Sequence, residues 1–179
     1  MVPRVLGQRL VRWEEMNERL EATEAAERVL AEHWDGTVPV DPARVAQSMG
    51  IRVVDAYMDA DVDGAIRREG KGKPATIYVN AGNATNRKRF TCAHEIAHYF
   101  KHSEEGEYEF IDYRDALASS GQVSDERYAN AFAAALLMPE KHVRRLRTEG
   151  LGDWSMANRL GVSEAAMVNR LKNLGLYRR

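Results

Sequence analysis

"RFTCAHEIAHYFKH", residues 89–102, sets three histidines and a glutamate into one helical run. His94 and His98, four apart, lie one above the other on a single helix face. Their ring nitrogens then reach one metal ion at ~2 Å each. Glu95 points about 100° away from His94 in an ideal helix, which keeps its carboxylate off the ion yet beside a water bound there. This is the logic of H-E-x-x-H: two ligands and a base that takes a proton from the water. The alternative is a surface helix with stray imidazoles. Shuffling this composition would produce the pattern by accident in roughly one sequence in a hundred, so a third ligand has to be found before it carries weight.

His102 is the first candidate, and geometry rejects it. It lies ~12 Å from His94 along the helix axis, too far for both to touch one ion. It reads instead as a helix-end residue favoured by the C-terminal dipole. The metzincin spacing fails too, because it needs glycine and histidine where Lys101 and Glu104 stand. A better candidate is Glu126, which opens "ERYANAFAAALLMP" (126–139), with Asn130 one turn later on the same face. Glu126 would close the coordination from a second helix, while Asn130 would hydrogen-bond the outer nitrogen of a ligand histidine.

The rest of the chain bounds the answer. It has 179 residues, 44% apolar and 30% charged, with formal net charge −1: a soluble globular composition with no global charge for nucleic acid or membrane. No apolar run is long enough to span a bilayer, and the charged N-terminus does not read as a secretory signal, so the expected location is the cytoplasm. The single cysteine, Cys92, has no internal disulfide partner. The first 35 residues read as helix through Leu6, Leu10, Trp13, Ala26, Val29 and Leu30. Asp41, Pro42 and Gly50 mark the cap, first turn and stop of a short helix. "IRVVDAYM", "VDGAIRRE" and "ATIYVN" are strand candidates, the last two joined by the turn "EGKGKP". Residues 101–126 are acidic and weakly periodic, and read as a partly irregular loop. The predicted fold is α+β: a small, mostly antiparallel three-stranded sheet packed on helices that carry the H-E-x-x-H site, with a helix-turn-helix-like C-terminal segment.

"RFTCAHEIAHYFKH" and "ERYANAFAAALLMP", with "VPVDPARVAQSMGIRVV" and "TIYVNAGNATNRKRFTCAHEIAH" upstream, resemble the ImmA/IrrE family of metallo-endopeptidases over residues 25–140. The resemblance implies a gluzincin-like site with one Zn2+ per chain: His94, His98 and Glu126 as ligands, Glu95 as general base, Asn130 supporting a ligand. It implies a domain order of N-terminal helical extension (1–24), metallopeptidase (25–140) and helical tail (141–179). It also implies a substrate, because characterised members cut helix-turn-helix repressors of prophages, mobile elements or stress responses. "ATIYVN" would then serve as an edge strand that hydrogen-bonds an extended substrate. Family members often have an apolar residue at the position of Cys92 and an acidic or small one at that of Tyr128. Cys92 reads as a packed thiol, with a fourth ligand or redox sensor as the lesser alternative. The oxyanion donor stays open among Tyr108, Tyr113, Tyr128 and His142.

The tail, "WSMANRLGVSEAAMVNRLKNLGL" (154–176), has helix-turn-helix spacing at Ala157, Gly161 and Met167, a Ser163 cap, and Arg170 and Lys172 for phosphate. Two packed helices with Leu160, Val162, Val168, Leu171 and Leu174 inward are the favoured alternative, and DNA binding is the less favoured one. The competing function is a non-catalytic DNA-binding or toxin–antitoxin regulator on the same fold.

Overall fold

A computed structural model describes residues 4–106, 109–115 and 122–177. Helix α1 (Arg4–His33) is unbroken, and its C-terminal half buries Ala22, Ala25, Ala26, Val29 and Leu30. Trp13, Met16 and Leu20, nearer its start, stay exposed. Helix α2 (Pro42–Ser48) begins where the sequence says it should: the Asp41 carboxylate accepts from the Ala43 and Arg44 amides, and Pro42 fills the first turn.

Strands β1 (Arg52–Ala56), β2 (Val62–Glu69) and β3 (Thr76–Asn80) follow, then helix α3 (Thr85–Glu105). A fourth strand, β4 (Glu109–Asp115), lies inside the stretch predicted to be an irregular loop, so the sheet has four strands rather than three. Their order is β1-β3-β2-β4, with β1 and β3 parallel and the other pairs antiparallel. β4 escapes the sequence because "EFIDYRD" is rich in charges, which carry low strand propensity. Charges are tolerated on an outer strand, and its pairing is supplied by the backbone of β2. A second expectation fails because β1 and β2 flank β3. "ATIYVN" is β3, an interior strand buried on both faces, and the sheet edges are β1 and β4.

Helix α3 lies on β2 and β3, and α4 (Gln122–Leu137) packs between α3 and α1. The contact between sheet and α3 depends on Gly64. A Cβ there would lie 2.6 Å from the Tyr78 carbonyl oxygen and would also strike the Thr91 methyl. Backbone cannot yield on one side, so only glycine lets the strand and the helix approach this closely. Helices α5 (Glu140–Thr148), α6 (Asp153–Leu160) and α7 (Glu164–Asn173) complete the chain.

The C-terminal pair folds as packed helices. Met156, Ala157, Leu160, Val162, Met167 and Leu171 are buried, and Ser163 caps α7 through the Ala166 amide. Val168 and Leu174 are half-buried. Arg170, expected to face phosphate, is 6% exposed and donates from Nε to the Met138 carbonyl at 3.1 Å. Arg89 of α3 fastens this pair: Nε donates to the Gly161 carbonyl at 2.9 Å and Nη2 to that of Val40 at 2.6 Å. Gly161 turns in the left-handed region, φ +65°, with the Arg89 guanidinium against it. No helix among the described residues is long and apolar enough to cross a membrane. Replacing Gly64 with alanine is expected to lower stability by about 1–3 kcal/mol through overpacking, measured by chemical denaturation.

Candidate metal centre

Helix α3 carries the entire 89–102 run without a break, and Gly106, in the left-handed conformation, closes it. His94 is fully buried, Glu95 is 1% exposed and His98 is half-buried. The Nε2 atoms of the two histidines lie 3.0 Å apart. Glu126, from α4, sets Oε2 3.4 Å from His94 Nε2 and Oε1 3.5 Å from His98 Nε2. The three residues thus offer ligand atoms within 4.8 Å of one another. Four ligands at ~2.0–2.1 Å in tetrahedral array stand about 3.3–3.4 Å apart, so the spacing and the nitrogen–oxygen donor set fit a zinc-sized ion with a fourth position open.

Glu126 is placed by pins on either side of it. Asp125 pairs with Lys101 of α3. Ser124 Oγ donates to Glu18 Oε1 at 2.6 Å, and Arg127 Nε donates to Glu18 Oε2 at 3.2 Å. The first turn of α4 is therefore held by both neighbouring helices. Burial pushes the Glu126 carboxyl up, but the hydrogen bonds and charge of His94 and His98 outweigh it and hold the group well below the usual carboxylate range.

The family model described as the IrrE N-terminal-like domain, a peptidase family, matches residues 46–172. The chain belongs to the ImmA/IrrE family. The match takes in the sheet, both helices of the site and most of the C-terminal pair. The family is a peptidase family and is typically metal-dependent. Among solved structures, a Mycobacterium tuberculosis transcriptional regulator shares the fold with a TM-score of 0.63 at 21% identity. The alignment covers 85% of this chain and 46% of that one, so the chain spans less than half the length of that protein. A comparison with curated proteins returns no match.

The other sequence candidates separate cleanly on this ImmA/IrrE scaffold. Asn130 sits one turn beyond Glu126, exposed, and lines a groove. His102 stacks on Phe110 with ring centroids 4.2 Å apart, tying the end of α3 to β4. Tyr128 stacks on Phe132, and burial pushes its hydroxyl up to about 12. His142 packs edge-on against Trp34. Tyr108 and the side chain of Tyr113 lie outside the described residues. The residue that sequence reasoning missed is Phe90, one turn before His94, whose ring centroid lies 6.4 Å from the imidazole. Its position at i−4 from the first ligand was the available signal.

Cys92 is 3% exposed and stands outside the ligand cluster among the described residues. Burial first, then the negative charges of Glu95 and Asp41, push its thiol up to about 12, against a smaller opposing pull from Arg89. A thiol held protonated and shielded is a poor nucleophile. Iodoacetamide at pH 8 is expected to leave Cys92 unmodified in the native chain and to alkylate it fully after denaturation, read by intact mass.

Proposed function

We propose that the chain is a zinc-dependent endopeptidase that cleaves a helix-turn-helix transcriptional repressor in the cytoplasm, relieving repression in a prophage, mobile element or stress response. The observation that carries this reading is the convergence of His94, His98 and Glu126 from two separate helices, with a buried carboxylate, Glu95, beside them. His94, His98 and Glu126 would hold the ion, and Glu95 would be left free of it. The zinc would supply the Lewis acidity that a peptide carbonyl and an attacking water need at neutral pH.

Glu95 does the proton work. Its carboxylate takes the proton of the water as the water attacks the carbonyl carbon. The same carboxyl then gives that proton to the amide nitrogen as the C–N bond breaks, so the products leave as acid and amine. Near-complete burial favours this role, because a base shielded from bulk solvent keeps the proton it has taken until the leaving nitrogen needs it.

The repressor substrate rests on the family resemblance, and two features favour a protein over DNA as the partner of the C-terminal pair. Arg170 is buried in the wall of a groove and bonds the Met138 carbonyl, and the exposed residues of α7 include Glu164 and Asn169, with Lys172 as the basic one. An extended segment of substrate would pair with a sheet edge beside α3, which is β4 rather than β3.

The test uses helix-turn-helix repressors from the same genome as candidate substrates. Glu95→Gln is expected to retain zinc and lose at least about 100-fold in cleavage rate, the range for removing a general base. His94→Ala is expected to lose both zinc and cleavage, measured by metal analysis and by gel. Undiminished cleavage in Glu95→Gln would eliminate the proposed base, and full function without zinc in His94→Ala would favour a non-catalytic regulator.

A further inference from the structure

A groove of ≈ 850 Å³ begins one turn from the ligands, where Phe90 and Asn130 stand. Its floor continues along α4 through Ala134 to Met138, and its far wall is α7, with Asn169 and Arg170. Apolar floor and amide-bearing walls suit a polypeptide, whose side chains need the former and whose backbone needs the latter.

Charge decides what kind of polypeptide. Arg87 on the wall is neutralised by Asp63, and Arg127 by Glu18 and Glu15. Arg170 is different. It is more than nine-tenths buried, and no carboxylate among the described residues lies within ion-pair distance of it. Glu140 and Glu27 act on it only through space, while burial pushes its guanidinium down. One of its five N–H groups is spent on the Met138 carbonyl, a helix-end contact that a far less costly residue could make. A buried guanidinium with donors to spare, on the wall of an open groove, is matched by a carboxylate brought from outside. Arg19, at the rim and bonded to Asn173, adds charge of the same sign.

We infer that this groove holds the substrate chain beside the metal centre, and that Arg170 binds an Asp or Glu side chain of that chain. The inference rests on the peptidase reading for the meaning of "substrate", and it fixes a distance. From Glu126 to Met138 the helix advances about 18 Å. An extended chain covers that span in about five residues, so the recognised acid stands about five residues from the scissile bond.

The probe is a random library of C-terminally amidated peptides about twelve residues long, long enough to fill the groove. It is passed over the immobilised, zinc-loaded, full-length Glu95→Gln chain, and amidation removes the terminal carboxylate as a competing source. Retained peptides are expected to be enriched at least roughly fivefold in Asp or Glu, and Arg170→Gln is expected to abolish that preference, with Arg170→Lys restoring part of it. Ala165→Trp, an exposed wall position, is expected to cut retention of all peptides with zinc content unchanged. Retention without acid preference, a preference that survives in Arg170→Gln, retention undiminished in Ala165→Trp, or no retention would each overturn the inference. Selection of acidic peptides by a chain whose wild type hydrolyses none would support the groove and sink the peptidase reading, which keeps the two failures apart.

Discussion

Three side chains from two helices must stay within a few ångströms of one another for this site to exist. Two of them come at no conformational risk, since the i, i+4 geometry of α3 stacks His94 and His98 wherever that helix forms. The third does not. Glu126 reaches the imidazoles only if α4 docks on α3 in one register, and the chain invests heavily in that docking. Ala129 and Ala133 let α4 approach its neighbours, Phe132 fills the space between them, and all three are fully buried. Ser124, Asp125 and Arg127 then lock the first turn from the α1 and α3 sides. Buried carboxylate and imidazoles are mutually dependent: burial disfavours the charge on Glu126, and the histidines hold it there.

The remainder of the fold positions α3. Gly64 lets the sheet sit hard against it, and Arg87 ties its first turn to Asp63 of β2. Arg89 reaches the other way, to the turn of the C-terminal pair. The ligand helix is thereby fixed to every other part of the chain that could border a substrate. The helix-turn-helix-like segment becomes a wall of the same groove instead of a separate appendage, and this is the arrangement from which the role of Arg170 follows.

Much of this was readable from local chemistry. His94, Glu95 and His98 follow from spacing alone, and the α2 boundaries from Asp41, Pro42 and Gly50. Glu126 was a candidate from its place at the head of an apolar helix, and the linked family pattern strengthened it. What the sequence concealed depends on distant partners. β4 is charged and gains its strand character from pairing with β2, so local propensity points the wrong way. The interior position of β3 is settled only when β1, from an earlier part of the chain, pairs in parallel with the side that β2 leaves open. Arg89 and Arg170 bond carbonyls 72 and 32 residues away, and a bond to a carbonyl leaves no mark on the identity of its acceptor. Basic residues in a basic tail suggest phosphate, and packing sets one of them, Arg170, in the wall of a groove.

The central claim is that a carboxylate from α4 completes a site begun by two imidazoles of α3. X-ray absorption at the zinc edge of the loaded chain, with and without Glu126→Ala, tests it directly. The account predicts a shell of two imidazole nitrogens and light oxygen donors at about 2.0–2.1 Å, with the carboxylate contribution gone in the variant. A sulfur shell at about 2.3 Å, or a first shell identical in both proteins, would contradict it.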